Sequence, residues 1–110
     1  TMKRSGMDFN EYQDLAQRTS STISEDEKLD NGILGLCGEV GEVSEHLKKY
    51  WFHGKKLDSY LLMEELGDVL WYIAEMCEGL GIYLEDVATH NIQKLMDRWP
   101  DGFKKEDDNA

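Results

Sequence analysis

Proline is nearly absent from this chain: Pro100 is the only one in 110 residues. Nothing upstream of it is therefore barred from continuing as helix. Cysteine is scarce, with Cys37 and Cys77 lying 40 residues apart inside apolar stretches. No CxxC and no Cys/His ligand spacing occurs, which disfavours a zinc or redox centre and leaves two ordinary thiols. Basic residues are outnumbered, twelve Lys and Arg against twenty-three Asp and Glu, for a net charge of −11. A surface this negative repels a nucleic acid backbone, so no nucleic-acid partner is expected. A small phosphate-bearing ligand stays open, because a bound divalent cation can invert the local field. No apolar run approaches the roughly 20 residues of a membrane span, and no signal-peptide pattern opens the chain. Thr1 ahead of Met2 reads as an added residue and is left out of fold reasoning. The expectation is a soluble, cytoplasmic protein without a membrane partner.

The length suits one domain, and a domain of this size buries about two-thirds of the surface its unfolded chain exposes, so its core is thin. Apolar residues make up 40% of the chain and recur every three to four positions, a helical period. Asp8 followed by Glu11 marks a helix start, with Phe9, Tyr12, Leu15 and Ala16 carrying the helix to about Ser20. The polar run from Ser20 to Asp30 reads as a connection. A second helix is expected from about Asp30 to His53, stopped by Gly54, with an apolar stripe of Ile33, Leu36, Val40, Val43, Leu47 and Trp51. Asp58 or Ser59 can cap a third helix, whose stripe of Leu62, Leu66, Val69, Ile73, Met76, Cys77 and Leu80 closes at Gly81. A fourth helix from Leu84 to Trp99 carries Ala88, Ile92 and Leu95 and ends before Pro100 and Gly102. The expected fold is all-α, a four-helix bundle spanning 8–103, with flexible termini at 1–7 and 104–110.

Two helices carry paired carboxylates. Gly38-Glu39-Val40-Gly41-Glu42 lies on the second, and Glu64-Glu65-Leu66-Gly67-Asp68 on the third. At about 100° per residue, Glu39 and Glu42 fall on one side of their helix, in a strip shared with Gly35 and His46. Glu65, Asp68 and Tyr72 form the matching strip on the third helix. If the apolar stripes pack together, the acidic strips converge at one edge of the interface. Four carboxylates in a small volume raise one another's pKa, and a hard divalent cation relieves the repulsion. Mg²⁺ suits such a site, since it takes a few carboxylates, keeps several waters and completes its shell with phosphates. The lack of Glu-x-x-His pairs argues against a di-iron bundle. Gly35, Gly38, Gly41 and Gly67 each cost about 1 kcal/mol inside a helix, which close approach of another helix or of a ligand would explain.

With these motifs the sequence resembles the MazG-like branch of the all-α nucleoside triphosphate pyrophosphohydrolases. The family pattern ExxE, a spacer, then ExxD appears as Glu39-x-x-Glu42, twenty-two intervening residues, then Glu65-x-x-Asp68. The resemblance extends through Gly35-Leu36-Cys37-Gly38, Val69-Leu70-Trp71-Tyr72 and Asn91-Ile92-Gln93-Lys94-Leu95-Met96-Asp97-Arg98-Trp99-Pro100. It runs from about Phe9 to Phe103 and is nearest to short, single-domain, phage-type members. It implies that Glu39, Glu42, Glu65 and Asp68 hold Mg²⁺, with Mn²⁺ able to substitute. These four are also the catalytic candidates, Glu42 orienting the water. It further implies nucleotide contacts from Tyr72, Asn91 and Lys94, and from Gln13 on the first helix facing the base; Arg98, one turn beyond Lys94 on the same strip, is in reach of either a phosphate or surface acid. Trp51, Phe52 and Trp71 are expected in core or oligomer contacts rather than stacked on a base. His46, His53, Glu45, Glu64 and Glu75 are expected to be bystanders.

The activity so implied is Mg²⁺-dependent hydrolysis of (deoxy)nucleoside triphosphates to monophosphate and pyrophosphate. Large apolar side chains such as Trp51, Phe52, Leu70 and Trp71 exceed what one four-helix unit covers, so a homodimer or a dimer of dimers is expected. Three rival readings are a nucleotide–Mg²⁺ binding regulator without turnover, a phosphoribosyl-ATP pyrophosphohydrolase, and a purely structural acidic dimer. The complete carboxylate motif with Asn91 and Lys94 disfavours the two that lack catalysis.

Overall fold

The structure, a computed structural model, describes residues 6–22 and 24–103; the expected tail at 104–110 and residues 1–5 lie outside the described residues. Four α-helices follow in order: α1 (Phe9–Gln17), α2 (Glu25–Phe52), α3 (Ser59–Leu80) and α4 (Leu84–Arg98). The described residues contain no strand, and the fold is all-α. None of these helices is long and apolar enough to cross a membrane.

Local signals set most boundaries. The Asp8 side chain accepts from the backbone N–H of Glu11 and starts α1, which ends at Gln17 and runs on through a tight turn to Ser20. Asp58 starts α3 by accepting from the N–H groups of Tyr60 and Leu61. Gly81, in the left-handed conformation at φ 70°, ends it with bonds back to Cys77 and Glu78. One boundary differs from expectation. α2 begins at Glu25, not Asp30, because Ser24 and Glu27 form a reciprocal capping box that turns the polar run 25–30 into helix. Its three acidic residues Glu25, Asp26 and Glu27 suit the positive end of the helix dipole.

The dominant contact is between antiparallel α2 and α3. The face that α2 turns to α3 is offset by about one residue from the expected stripe. It carries Gly32, Gly35, Leu36, Glu39, Val43 and His46, whereas Ile33, Val40, Leu47 and Trp51 are exposed. The reason is steric. A Cβ on Gly32 would strike Met76, and one on Gly35 would strike the Tyr72 ring. A Cβ on Gly79 would sit 2.8 Å from both the Glu25 carbonyl oxygen and the Leu29 nitrogen. Missing side chains let the backbones close where hydropathy alone gives no signal. Gly38, Gly41 and Gly67 instead face open space.

α1 crosses the C-terminal half of α3 and ties it to the start of α4. The Trp71 indole N–H donates to the Ala16 carbonyl and the Thr19 hydroxyl, so Trp71 serves as the expected internal contact. The buried apolar set is small: Ala16, Ala74, Cys77 and Leu84. The radius of gyration is 17.1 Å, against about 13 Å for a compact chain of 100 residues. α4 makes no contact with α2, and its Ile92 and Met96 are more than half exposed. The single chain is an open helical unit rather than a closed bundle.

Candidate metal centre

The α2–α3 face brings the acidic motifs together. Glu39 lies one turn beyond Gly35, and Asp68 and Glu65 lie one and two turns before Tyr72, so the Gly35–Tyr72 contact fixes their register. One carboxylate oxygen each from Glu39, Glu65 and Asp68 falls within 4.8 Å of the others. Glu39 and Glu65 are half-buried on the helix-facing side, and Asp68 is exposed on the flank. Glu42 stands one turn from Glu39, exposed, outside that tight group but close enough for its charge to act on Glu39.

The cluster is electrostatically unsatisfied. A hydrogen bond shared with Glu65, then burial, then the charges of Asp68, Glu65 and Glu42 push the Glu39 carboxyl up to about 7. Glu39 Oε2 is buried without a partner among the described residues. Only a proton shared between the two carboxyls, or a cation among them, relieves that arrangement. The donor set is entirely carboxylate oxygen, which fits a hard divalent cation and not a soft one.

Two neighbours were not assigned to the site by sequence reading. His46 Nε2 lies 3.9 Å from Glu65 Oε1, so this histidine belongs to the site's edge. Its place on the strip of Glu39 and Glu42 was the available signal. Tyr12, on α1, has its phenol pKa raised by burial and by the charge of Asp68. Its distance in sequence from both acidic motifs gave no signal at all.

The other expected site residues are scattered. Tyr72 is half-buried, with its ring over Gly35 and edge-on to Trp71 at 5.1 Å. Asn91, Lys94 and Arg98 are exposed along α4, without an ion pair to the carboxylates among the described residues. The Arg98 guanidinium stacks 5.2 Å from the centre of the Trp99 ring. Gln13 is elsewhere employed. It is buried, its amide donates to Glu78 and the Ile82 carbonyl, and its carbonyl oxygen accepts from the Leu84 N–H at 2.6 Å. The expectation that it faces a base meets a side chain already committed to the α3–α4 turn. Glu75, expected to be a bystander, is a fully buried structural anchor.

Comparison with known proteins decides the lineage. A family model for the MazG nucleotide pyrophosphohydrolase domain matches residues 28–103. The chain belongs to the MazG family. That match runs from the first turn of α2 through α4 and contains all four carboxylates, so the acidic cluster described above lies within the MazG domain. α1 falls outside the match yet packs on α3 through Trp71 and Gln13. The "Gene 37 protein" of Mycobacterium phage L5 is 35% identical over 72 residues, covering 59% of this chain. The chain spans about 60% of the length of that relative. No solved structure matches. MazG domains carry nucleotide pyrophosphohydrolase activity in general, and enzymes of this family generally use divalent metals.

Proposed function

We propose that this protein hydrolyses nucleoside or deoxynucleoside triphosphates to the monophosphate and pyrophosphate with the help of Mg²⁺. The observation that carries the reading is the Glu39–Glu65–Asp68 cluster, with one buried oxygen unpartnered, inside a MazG domain. Glu39, Glu65 and Asp68 would hold the cation, with Glu42 beside them. When bound, Mg²⁺ neutralises phosphate charge and lowers the pKa of the water nucleophile. Mn²⁺, with similar oxygen chemistry, would substitute.

Glu42, exposed and one turn from Glu39, would orient the water and accept its proton. The water oxygen bonds to the α-phosphorus as the bond from that phosphorus to the α,β-bridging oxygen breaks. Pyrophosphate leaves with the bridging oxygen. Little covalent chemistry is asked of the protein, so positioning and charge neutralisation dominate. Tyr72, on the same strip of α3 as Glu65 and Asp68, would meet the nucleoside. Asn91, Lys94 and Arg98 would meet the nucleotide from α4, with the two cations offsetting phosphate charge. We take residues 8–103 as the functional unit, in a cytoplasmic setting that goes with this substrate.

The protomer's openness supports a homodimer, or a dimer of dimers. A second copy is the partner that would cover the apolar side chains left bare on α2 and α4 and enlarge a four-residue core.

The deciding experiment is a pyrophosphate-release assay over a panel of ribo-, deoxyribo- and modified triphosphates, with Mg²⁺ and with EDTA. Metal-dependent appearance of pyrophosphate and monophosphate is expected. Orthophosphate as product would place attack at the γ-phosphorus and overturn the mechanism. Metal-dependent nucleotide binding without any product would favour a regulator.

A further inference from the structure

Beyond the carboxylates, the same helix strip continues into a pocket of opposite charge. On α2, Gly35, Glu39, Glu42, His46 and Lys49 follow one another at three- and four-residue steps and therefore share a face. On α3, Tyr72, Asp68, Glu65, Leu61 and the cap residue Asp58 run antiparallel beside them. Beyond the His46–Glu65 pair, the end of α2, the 53–58 loop and the start of α3 enclose a concavity of about 410 Å³. His46, Lys49, Lys55, Lys56, Asp58 and Leu61 line it.

Its charge stands out against the rest of the chain. Residues 46–57 contain no acid but four lysines, in a protein with twenty-three Asp and Glu and a net charge of −11. The one carboxylate in the lining, Asp58, already accepts from the Tyr60 and Leu61 N–H groups. No carboxylate lies within 4.0 Å of Lys49, Lys55 or Lys56 among the described residues. The loop is shaped to present them, since the Lys55 N–H bonds back to the Lys49 carbonyl at 3.2 Å and Gly54 turns at φ 66°.

We propose that this pocket is the pyrophosphate subsite: it holds the β- and γ-phosphates of the substrate, and then the leaving pyrophosphate. The inference rests on the pyrophosphohydrolase reading and adds a polarity to it. The α-phosphorus sits at the carboxylate cluster, the nucleoside lies toward Tyr72, and the outer phosphates lie toward Lys49, Lys55 and Lys56. Glu42 and Lys49 are two helical turns apart, about 10 Å along the axis, a span that an extended lysine and two bridged phosphates bridge together. The lysines would neutralise the charge that builds on the leaving group as the phosphorus–oxygen bond breaks. His46, between the two halves, can donate to a phosphate oxygen at the point where the field changes sign.

The test uses the full chain and the double variant Lys55→Gln/Lys56→Gln, whose changes lie in a loop outside the helices, with Lys55→Arg/Lys56→Arg as the charge-keeping control. Binding of inorganic pyrophosphate in the presence of Mg²⁺ is measured by calorimetry, and inhibition by pyrophosphate and by the nucleoside monophosphate is measured in the release assay. The glutamine variant is expected to bind pyrophosphate at least about tenfold more weakly. Monophosphate inhibition should stay within about twofold, and the arginine variant should retain pyrophosphate binding. Pyrophosphate affinity unchanged in the glutamine variant, or no pyrophosphate binding by the wild-type protein, would overturn the subsite. The calorimetry reads the pocket without turnover: if no triphosphate were cleaved, the enzymatic reading would fail while a loss of binding in the glutamine variant would still locate the anion here.

Discussion

Asn31 on α2 and Glu75 on α3 are joined across the helix interface by a 3.1 Å hydrogen bond from the Asn31 amide to Glu75 Oε2. Gln17, Ser20 and Thr22 donate to the same carboxylate, and Lys28 Nζ lies 3.9 Å away. Glu75 thus gathers α1, Ser20 and Thr22 that follow it, α2 and α3 onto one buried charge. Burial alone would raise its pKa, but the four hydrogen bonds outweigh burial and hold it below the ordinary carboxylate range.

The lowered value gives this group a defined pH signature. A carboxylate with a depressed folded-state pKa contributes stability that is present above its unfolded value, about 4.3 for Glu, and lost as pH falls through the folded value. Glu75→Gln keeps the shape but removes the charge, and is expected to cost about 2–4 kcal/mol at pH 7. Denaturant melts between pH 7 and 3 should show wild-type stability falling in the acid range and the variant's falling less. Equal slopes would mean that Glu75 is not the group responsible.

Metal should relieve the repulsion at the acidic cluster. At a hundredfold excess over its dissociation constant, Mg²⁺ is expected to stabilise the fold by about 2.7 kcal/mol, visible as a rise in Tm. Without metal, Asp68→Asn removes one of the crowded charges and should melt at or above the wild-type temperature, while losing most of the Mg²⁺ response. A variant that kept the full response would place the ion elsewhere.

Catalysis should separate from folding at the exposed carboxylates. Glu42→Ala and Asp68→Ala are each expected to lower kcat by at least about 100-fold while the far-ultraviolet circular dichroism stays unchanged. Retained turnover in either variant would remove that residue from the site.

Gln13 offers the opposite separation. Gln13→Ala strips the buried Leu84 N–H of its acceptor and should cost about 1–3 kcal/mol of stability. KM for the triphosphate should move less than about twofold, and a large KM effect with unchanged stability would restore the base-facing reading.

Light scattering at micromolar concentration should return at least twice the 12.7 kDa chain mass. Introducing charge on the bare α4 face with Ile92→Glu should lower the measured mass toward one chain, since that side chain is more than half exposed in the protomer. A monomeric wild-type protein would contradict the dimer.

The helices themselves were written locally. Asp8, Asp58 and Gly81 act within a turn of their own positions, so their signals could be read without knowing the fold. The start of α2 was equally local, in Ser24 and Glu27, and was obscured only by the polarity of the residues it caps. The ExxE and ExxD spacings likewise put Glu39 with Glu42, and Glu65 with Asp68, on one strip of each helix, because helical period fixes which side chains share a face.

Which face turned inward was a different matter. Hydropathy pointed to Ile33, Val40 and Leu47, but close approach at Gly32, Gly35 and Gly79 rotated α2 so that Glu39 and His46 came to the interface. Backbone-to-backbone fit depends on both helices at once, and neither sequence stretch encodes the other's surface. The same holds for Gln13 and Glu75, polar residues whose burial became affordable only when distant donors and acceptors converged on them. Sequence alone therefore determined the helices and the acidic motif, since both rest on contacts within a few residues. Tertiary structure decided the packing face, the polar anchors and the basic pocket beside the carboxylates, because each arises from groups that only folding brings within hydrogen-bond or Coulomb range.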